Sequence, residues 1–327
     1  MVNRICLGIE STSHTFGVGI ANDKGGILAN EKNVFVPPKN SGIEPSKAAA
    51  HHRAVAEDVL EKALKTADME ISDIDFISIA AGPGLASCLL VGMEFAKKLA
   101  TENEKPLIPV NHAIAHIEIG KLTTKAKDPV CLYVSGGNTQ IIAFANKKYR
   151  ILGETLDIPI GNAQDFFARK VGLSFPGGPK LDEIAKRGRW IDLPYVVKGM
   201  DVSFTGIVTA ALKKVKTEKI EDVIFSLNEV MYSMLVEVTE RALAHTEKNE
   251  VLLIGGVAAS QRFREMMDIM CKDRDAKCFA VPKEYAGDCG ANIAWAGLLA
   301  AKNKTVKLSE IDIRPKWRVD EVGWLRV

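Results

Sequence analysis

Apolar and polar positions along the chain switch register at fixed places, and the first switch comes at once. Ile5 to Ile9 is an apolar run, Glu10-Ser11-Thr12-Ser13-His14-Thr15 is polar, and Phe16-Gly17-Val18-Gly19-Ile20 resumes the apolar pattern. Two runs around a short polar tip predict a β-hairpin. The same unit returns as Val130-Cys131-Leu132-Tyr133-Val134, then Ser135-Gly136-Gly137-Asn138-Thr139, then Gln140-Ile141-Ile142-Ala143-Phe144. One supersecondary unit near the start of each half predicts a duplicated α/β architecture.

Between the hairpins, residues 46–67 carry Val55, Val59 and Ala63 at helical spacing. Phe76 to Ala81 predicts a buried strand, which Gly82-Pro83-Gly84 turns into a helix bearing Leu85, Leu89, Met93 and Ala96. Pro106 to Val110 predicts a short strand leading into Asn111-His112-Ala113-Ile114-Ala115-His116-Ile117-Glu118. The two histidines then start a helix beyond a strand's carboxyl end, where open α/β sheets bind ligands.

In the second half, residues 221–246 predict a long amphipathic helix with Ile224, Leu227, Met231, Met234, Val238 and Ala242 inward. Glu250 to Ile254 is a strand, Gly255-Gly256 a turn, and a helix follows with Phe263, Met267 and Met270 inward. Residues 172–206, rich in Gly and Pro, read as an irregular excursion over a cleft. The pattern thus predicts an N-terminal lobe over residues 1–118 and a C-terminal lobe over 119–300 that contains this excursion. A tail over 301–327 is expected to pack back on the N-terminal lobe.

A length of 327 residues suits two lobes, and 47% hydrophobic with 26% charged residues is ordinary for a globular enzyme. Lys and Arg total 43 against 41 Asp and Glu, a formal net charge of +2. No global basic field advertises nucleic acid, so any such binding must use local patches or patches lent by partners. Cys6, Cys88, Cys131, Cys271, Cys278 and Cys289 form no C-x-x-C pair, and several sit in apolar runs. They read as reduced, buried thiols. No apolar leader or membrane-length run is seen in the sequence, so a cytoplasmic protein without membrane association is expected.

Candidate chemistry centres on three places. His112 and His116 stand four apart on one helix face and could share an ion. The zinc-protease version of this spacing has Glu after the first His, where this chain has Ala113, so that reading loses its general base. Spacing alone leaves chelation and two separately hydrogen-bonded histidines equally open. Asp288, between Gly287 and Cys289 and just before a predicted helix, reads either as a helix N-cap or as the carboxylate of a two-His, one-Asp site.

The third place is the pair of hydroxyl- and glycine-rich hairpin tips together with Gly255-Gly256, where exposed backbone N–H groups suit phosphates. A plain hairpin turn explains Ser135-Gly136-Gly137-Asn138 taken alone. Neither a P-loop nor a G-x-G-x-x-G opening a βαβ unit is present. His51 and His52 lie about 100° apart on a helical wheel and cannot both chelate one ion, so surface or packing roles are expected.

NHAIAHIEIGKL, LYVSGGNTQ, GETLDIPIGNAQDFFAR, FPGGPKLDEIAKRG, LPYVVKGMDVSFTG, LIGGVA and GDCGANIAW follow one another in this order. Together they resemble the TsaD family in its archaeal/eukaryotic form, along essentially the whole chain. That family makes threonylcarbamoyladenosine in tRNA. The resemblance implies the two-lobed fold shared by actin, sugar kinases and heat-shock ATPases, with nucleotide and metal in the interlobe cleft.

It implies one iron or zinc ion held by His112, His116 and Asp288, with Tyr133 nearby. These three ligands would act catalytically through the metal. ATP, ADP or threonylcarbamoyl-AMP would meet Tyr133, Val134, Ser135, Gly136, Gly137, Asp165, Gly178, Asp182, Gly256 and Ser260. It also implies tRNA as substrate and work inside the KEOPS complex, beside a small atypical protein kinase and a dimerising subunit.

The chain departs from the family's usual pattern at Ser11-Thr12, Leu90, Ser260-Gln261, Gly287 and Cys289. The competing functional class is an ATP-binding assembly module with little activity of its own.

Overall fold

The computed structural model describes residues 4–38, 41–301 and 307–323. The chain forms two compact units, one of Met1–Pro37, Gly42–Thr123 and Gly287–Val327, the other of Pro38–Ser41 and Thr124–Ala286. The first unit starts with β1 (Ile5–Glu10), β2 (Thr15–Asn22), β3 (Ile27–Val34), α1 (Pro45–Ala67), β4 (Phe76–Gly82), α2 (Ala86–Glu102), β5 (Leu107–Asn111) and α3 (His112–Thr124). The second follows with β6 (Val130–Val134), β7 (Thr139–Ala145), β8 (Lys148–Glu154), α4 (Ile160–Lys170), α5 (Gly178–Ala185), β9 (Val197–Lys198), β10 (Asp201–Val202) and α6 (Thr205–Lys214). It ends with α7 (Ile220–Thr246), β11 (Glu250–Ile254), α8 (Gln261–Asp273), β12 (Lys277–Ala280) and α9 (Lys283–Ala286), after which the chain rejoins the first unit as α10 (Gly290–Ala300).

The duplication expected from the two hairpins is a duplication of topology. The first unit's sheet runs β3-β2-β1-β4-β5, and the second unit's runs β8-β7-β6-β11-β12. In each, three antiparallel strands precede two strands that join parallel to the first. Parallel neighbours need crossover connections, and helices supply them.

In the first unit, α10 lies directly on β1 and β2. Strand alternation turns Cys6 and Gly8 towards this helix, where Cys6 packs with Ile293 and Ala294. A Cβ at Gly8 would stand 2.1 Å from Ala294 N, one at Gly19 2.1 Å from Ala291 N, and one at Gly290 2.1 Å from Gly19 N. Only glycine permits this approach. It also explains a boundary that differs from the sequence expectation: α10 is part of the first unit, not of a lobe spanning 119–300, and the first unit's middle segment runs to Thr123. The described tail is tied to the same unit. Arg314 N donates to Ala81 O at 2.6 Å, Gly84 N to Pro315 O at 3.1 Å, and Asn111 Nδ2 to Trp317 O at 3.1 Å.

In the second unit, α7 buries Ile224, Leu227, Met231, Met234, Val238 and Ala242 in one core with β6, β11, α4, α6 and α8. Residues 172–206 are more regular than expected, since they include α5, the β9–β10 pair and the start of α6. The stretch between is strapped along α7. Arg189 N donates to Asp222 Oδ1 at 2.7 Å, Ile191 N donates to Ser226 Oγ at 2.7 Å, and a Cβ at Gly188 would meet Glu221 O at 2.1 Å. Cys278 is half-buried and the other five cysteines are buried, all of them free thiols. Among the described residues no helix is long and apolar enough to cross a membrane.

Candidate functional site

Strand β5 ends at Asn111, whose side chain caps the helix that follows. Its Oδ1 accepts from Ala113 N at 3.0 Å and from Ile114 N at 3.2 Å, satisfying two of the orphan donors at the start of α3. The cap fixes His112 and His116 one turn apart and buried, with ring centroids 4.6 Å apart and planes at 80°. Asp288 arrives from the segment just before α10, which the glycine contacts hold on the sheet. It is not the helix N-cap; that position belongs to Cys289.

Asp288 Oδ1 lies 3.5 Å from His112 Nε2 and 3.4 Å from His116 Nε2, and one ligand atom from each of the three residues falls within 4.8 Å of the others. These separations are long for hydrogen bonds. They match the spacing of about 3.4 Å between neighbouring ligands bound tetrahedrally at about 2.1 Å, so the donor set fits a zinc-sized divalent ion. Protonation agrees with this fit, because metal binding needs neutral imidazole and ionised carboxylate. Burial pushes the His116 imidazole below its ordinary value. At Asp288 burial acts upward, yet the adjacent His112 and His116 imidazoles outweigh it and hold the carboxyl well below the usual range.

Nothing in the local sequence signals what stands behind these three residues. Glu10, fully buried at the end of β1, has Oε2 at 2.8 Å from His112 Nδ1. The imidazole donates its Nδ1 proton to the carboxylate, which leaves the Nε2 lone pair directed at Asp288. Thr12 N and Thr12 Oγ1 both donate to Glu10 Oε1, at 2.6 and 2.5 Å. The hydroxyl-rich tip of the first hairpin therefore holds a carboxylate. Asn292, on the first turn of α10, brings Nδ2 within 3.4 Å of His116 Nδ1.

The residues expected at a nucleotide all belong to the second unit. Tyr133 and Val134 end β6, with Tyr133 beside Gly255. Gly255 has φ of +92°, and a Cβ there would lie 2.2 Å from Val134 O, so glycine is required. Gly136, Gly137 and Gly256 differ, since a Cβ on any of them would meet nothing within 4 Å. Their lack of bulk is demanded by nothing in the protein. Ser135 stabilises its own turn, Oγ accepting from Asn138 N at 3.0 Å and from Gly137 N at 3.3 Å, as the plain-turn reading anticipates.

Gly161 N donates to Ser135 O at 3.2 Å and docks the start of α4 on this tip. Asp165, on α4, accepts from Gly177 N at 2.6 Å, just before Gly178 opens α5. Asp182, on α5, accepts from Asn228 Nδ2 and Tyr232 OH on α7, each at 2.9 Å. Ser260 caps α8, its Oγ accepting from Phe263 N at 3.4 Å. Asn228, Tyr232 and Gln164 were not predicted.

Comparison with known proteins bears on both sites. The family model described as TsaD, tRNA N6-adenosine threonylcarbamoyltransferase, matches residues 26–295. A tRNA N6-adenosine threonylcarbamoyltransferase of Thermofilum pendens is 52% identical over 97% of this chain and 95% of its own length. One from Methanopyrus kandleri is 49% identical over 98% and 96%. A probable bifunctional tRNA threonylcarbamoyladenosine biosynthesis protein of Methanocaldococcus jannaschii is 50% identical over 98% of this chain, which spans 61% of that relative.

Among solved structures, T. kodakarensis HypF superposes with TM-score 0.63 at 15% identity, over 92% of this chain and 48% of that one. Component A of Acidaminococcus fermentans (R)-2-hydroxyglutaryl-CoA dehydratase superposes with TM-score 0.55 at 14% identity, over 92% and 100%. These likenesses identify the fold as that of the actin-like ATPases. With one family model matched across most of its length and near-full-length relatives at about half identity, the chain belongs to the TsaD family of tRNA N6-adenosine threonylcarbamoyltransferases.

Proposed function

We propose that the chain transfers the threonylcarbamoyl group of threonylcarbamoyl-AMP to N6 of the adenosine 3′ of the anticodon, assisted by one iron or zinc ion held by His112, His116 and Asp288. One observation carries the metal-assisted part: two imidazole Nε2 atoms face a single carboxylate oxygen at 3.4–3.5 Å, with Glu10 behind one of them. An ion held there would supply Lewis acidity towards a carbonyl oxygen of the acyl donor.

The chain's own groups prepare the rest. Glu10 keeps the His112 proton on Nδ1, and Asp288 stays ionised across neutral pH. AMP is the leaving group of the acyl transfer. The open backbone at Gly136, Gly137 and Gly256 suits its phosphate, while Tyr133, Val134, Ser135, Asp165, Gly178, Asp182 and Ser260 border the rest of the nucleotide. Work beside KEOPS subunits, including a small atypical protein kinase and a dimerising subunit, belongs to the same proposal.

The test is incorporation of labelled threonine into cognate tRNA, with threonylcarbamoyl-AMP and partner subunits supplied. His116→Ala, verified metal-free by elemental analysis, is expected to lose transfer while the full assembly still binds tRNA. Transfer by that variant at the wild-type rate would remove the metal-assisted reading. A wild-type chain inert with every component present would favour the assembly-module alternative.

A further inference from the structure

Four helices of the second unit send polar side chains to one point inside an apolar core. Tyr232 OH and Asn228 Nδ2, from α7, both reach Asp182 Oδ1 on α5 at 2.9 Å. Gln164, from α4, donates Nε2 to Tyr232 OH at 3.0 Å and lies 3.4 Å from Asn228 Oδ1. The Ser260 hydroxyl, at the start of α8, lies close enough to influence both Tyr232 and Asp182. Gln164, Asn228 and Tyr232 are each at most 2% exposed, and the Tyr232 ring packs on Phe263 with centroids 5.1 Å apart.

Leucine and phenylalanine would fill these positions without polar groups to satisfy, so packing alone does not call for the network. Its directions are fixed: a phenol that accepts from Gln164 must turn its single proton to Asp182. Two donors on one oxygen then set the plane of a carboxylate that is itself only part-buried. Everything in the cluster converges on the orientation of Asp182.

We propose that Tyr232, acting through Asp182, is a positioning residue that sets ribose recognition in the nucleotide site. The proposal rests on the nucleotide reading given above. An ionised carboxylate only accepts hydrogen bonds, and a nucleotide offers it few donors: the ribose hydroxyls and the base amine. Ser260, a neighbour of Asp182, is four residues from Gly256 in the loop assigned to phosphate. The group joined directly to the phosphates is the sugar, so the ribose hydroxyls are the donors within reach.

The experiment is calorimetric titration of the full-length chain with ADP and with 2′,3′-dideoxy-ADP. Wild type is expected to favour ADP by about tenfold, the order of one charge-assisted hydrogen bond. Tyr232→Phe should bring that ratio close to one, Asp182→Asn should do the same, and the double variant should fall no further. Asn228→Leu removes the other donor to Asp182 Oδ1 and is expected to lower the ratio too, which keeps the test available if Tyr232→Phe does not fold. A lower Tm with an unchanged ratio in the variants would make the network structural only and overturn the proposal. A wild type that binds both nucleotides equally would overturn the ribose assignment, whereas one that binds neither would bring down the nucleotide reading itself.

Discussion

At the scale of single residues, the proposed metal site shows how a donor is made ready by a group that stands behind it. Glu10 accepts a hydrogen bond from His112 Nδ1 at 2.8 Å and is itself held by Thr12. Glu10→Gln keeps the volume and removes the charge, so metal affinity should fall about 10–100-fold, read by chelator competition on folded protein. A second buried histidine gives a pH prediction. His52 is fully buried, donates from Nε2 to Ser13 O at 2.9 Å, and has its pKa lowered to about 4, chiefly by burial, with His51, His14 and Glu10 as its charged or titratable neighbours.

The unfolded chain binds that proton near pH 6.5, so the contribution of neutral His52 is complete above 6.5 and declines as pH falls towards 4. Between pH 7 and 5 wild type should lose about 2 kcal/mol from this group. His52→Gln should flatten that part of the slope in denaturant melts. Neither Glu10 nor His52 could be assigned from sequence. Glu10 sits in a polar run that reads as a hairpin tip, and its partner is 102 residues away. His112 and His116 were legible because a four-residue spacing on a helix is local, and Asp288 was a candidate because glycine-flanked acids stand out; pairing them required the fold.

At the scale of elements, long periodic segments were readable and edges were not. The α1 and α7 helices fall within one residue of the ranges that their apolar stripes predict. Strands β3 and β8 lie at sheet edges and are rich in polar residues, so alternation there is weak, and the four-residue β12 is too short to carry a period. The stretch 172–206 looked irregular because Gly and Pro dominate it, while the α7 groups that hold it down are distant in sequence.

Glycine also carries opposite meanings in different elements, which two substitutions separate. Gly8→Ala forces a Cβ into the backbone of α10, so it should cost about 3 kcal/mol or more and displace the segment that delivers Asp288, seen as a fall in Tm together with metal loss. At Gly137 a Cβ meets nothing within 4 Å, so for Gly137→Val stability should stay within about 1 kcal/mol. Its ATP affinity, measured by calorimetry, should nevertheless drop at least about tenfold if phosphate approaches that backbone. Unchanged affinity would move the phosphate elsewhere.

At the scale of the whole molecule, the net charge of +2 bounds how this transferase meets its RNA. Nonspecific affinity for a polyanion grows with the number of phosphates neutralised and falls steeply with salt. The isolated chain should therefore retain tRNA poorly in filter binding at 150 mM salt, about physiological ionic strength, and adding partner subunits should raise both affinity and threonine transfer. Strong binding by the chain alone would point to a basic surface that the overall balance conceals.

The route of the chain through its first unit has a consequence for the order of events during synthesis. About 160 residues of the second unit are inserted between His116 and Asp288. At roughly 5–20 residues per second, the ribosome spends on the order of 10–30 s on that insertion. Throughout this interval the nascent first unit has its two histidines but neither the third ligand nor the helix that covers β1 and β2. The complete candidate donor set becomes available only after the second unit has been made and the polypeptide has returned. On the proposed metal reading, an ion can therefore be gripped by all three residues only in polypeptides whose synthesis has passed Asp288.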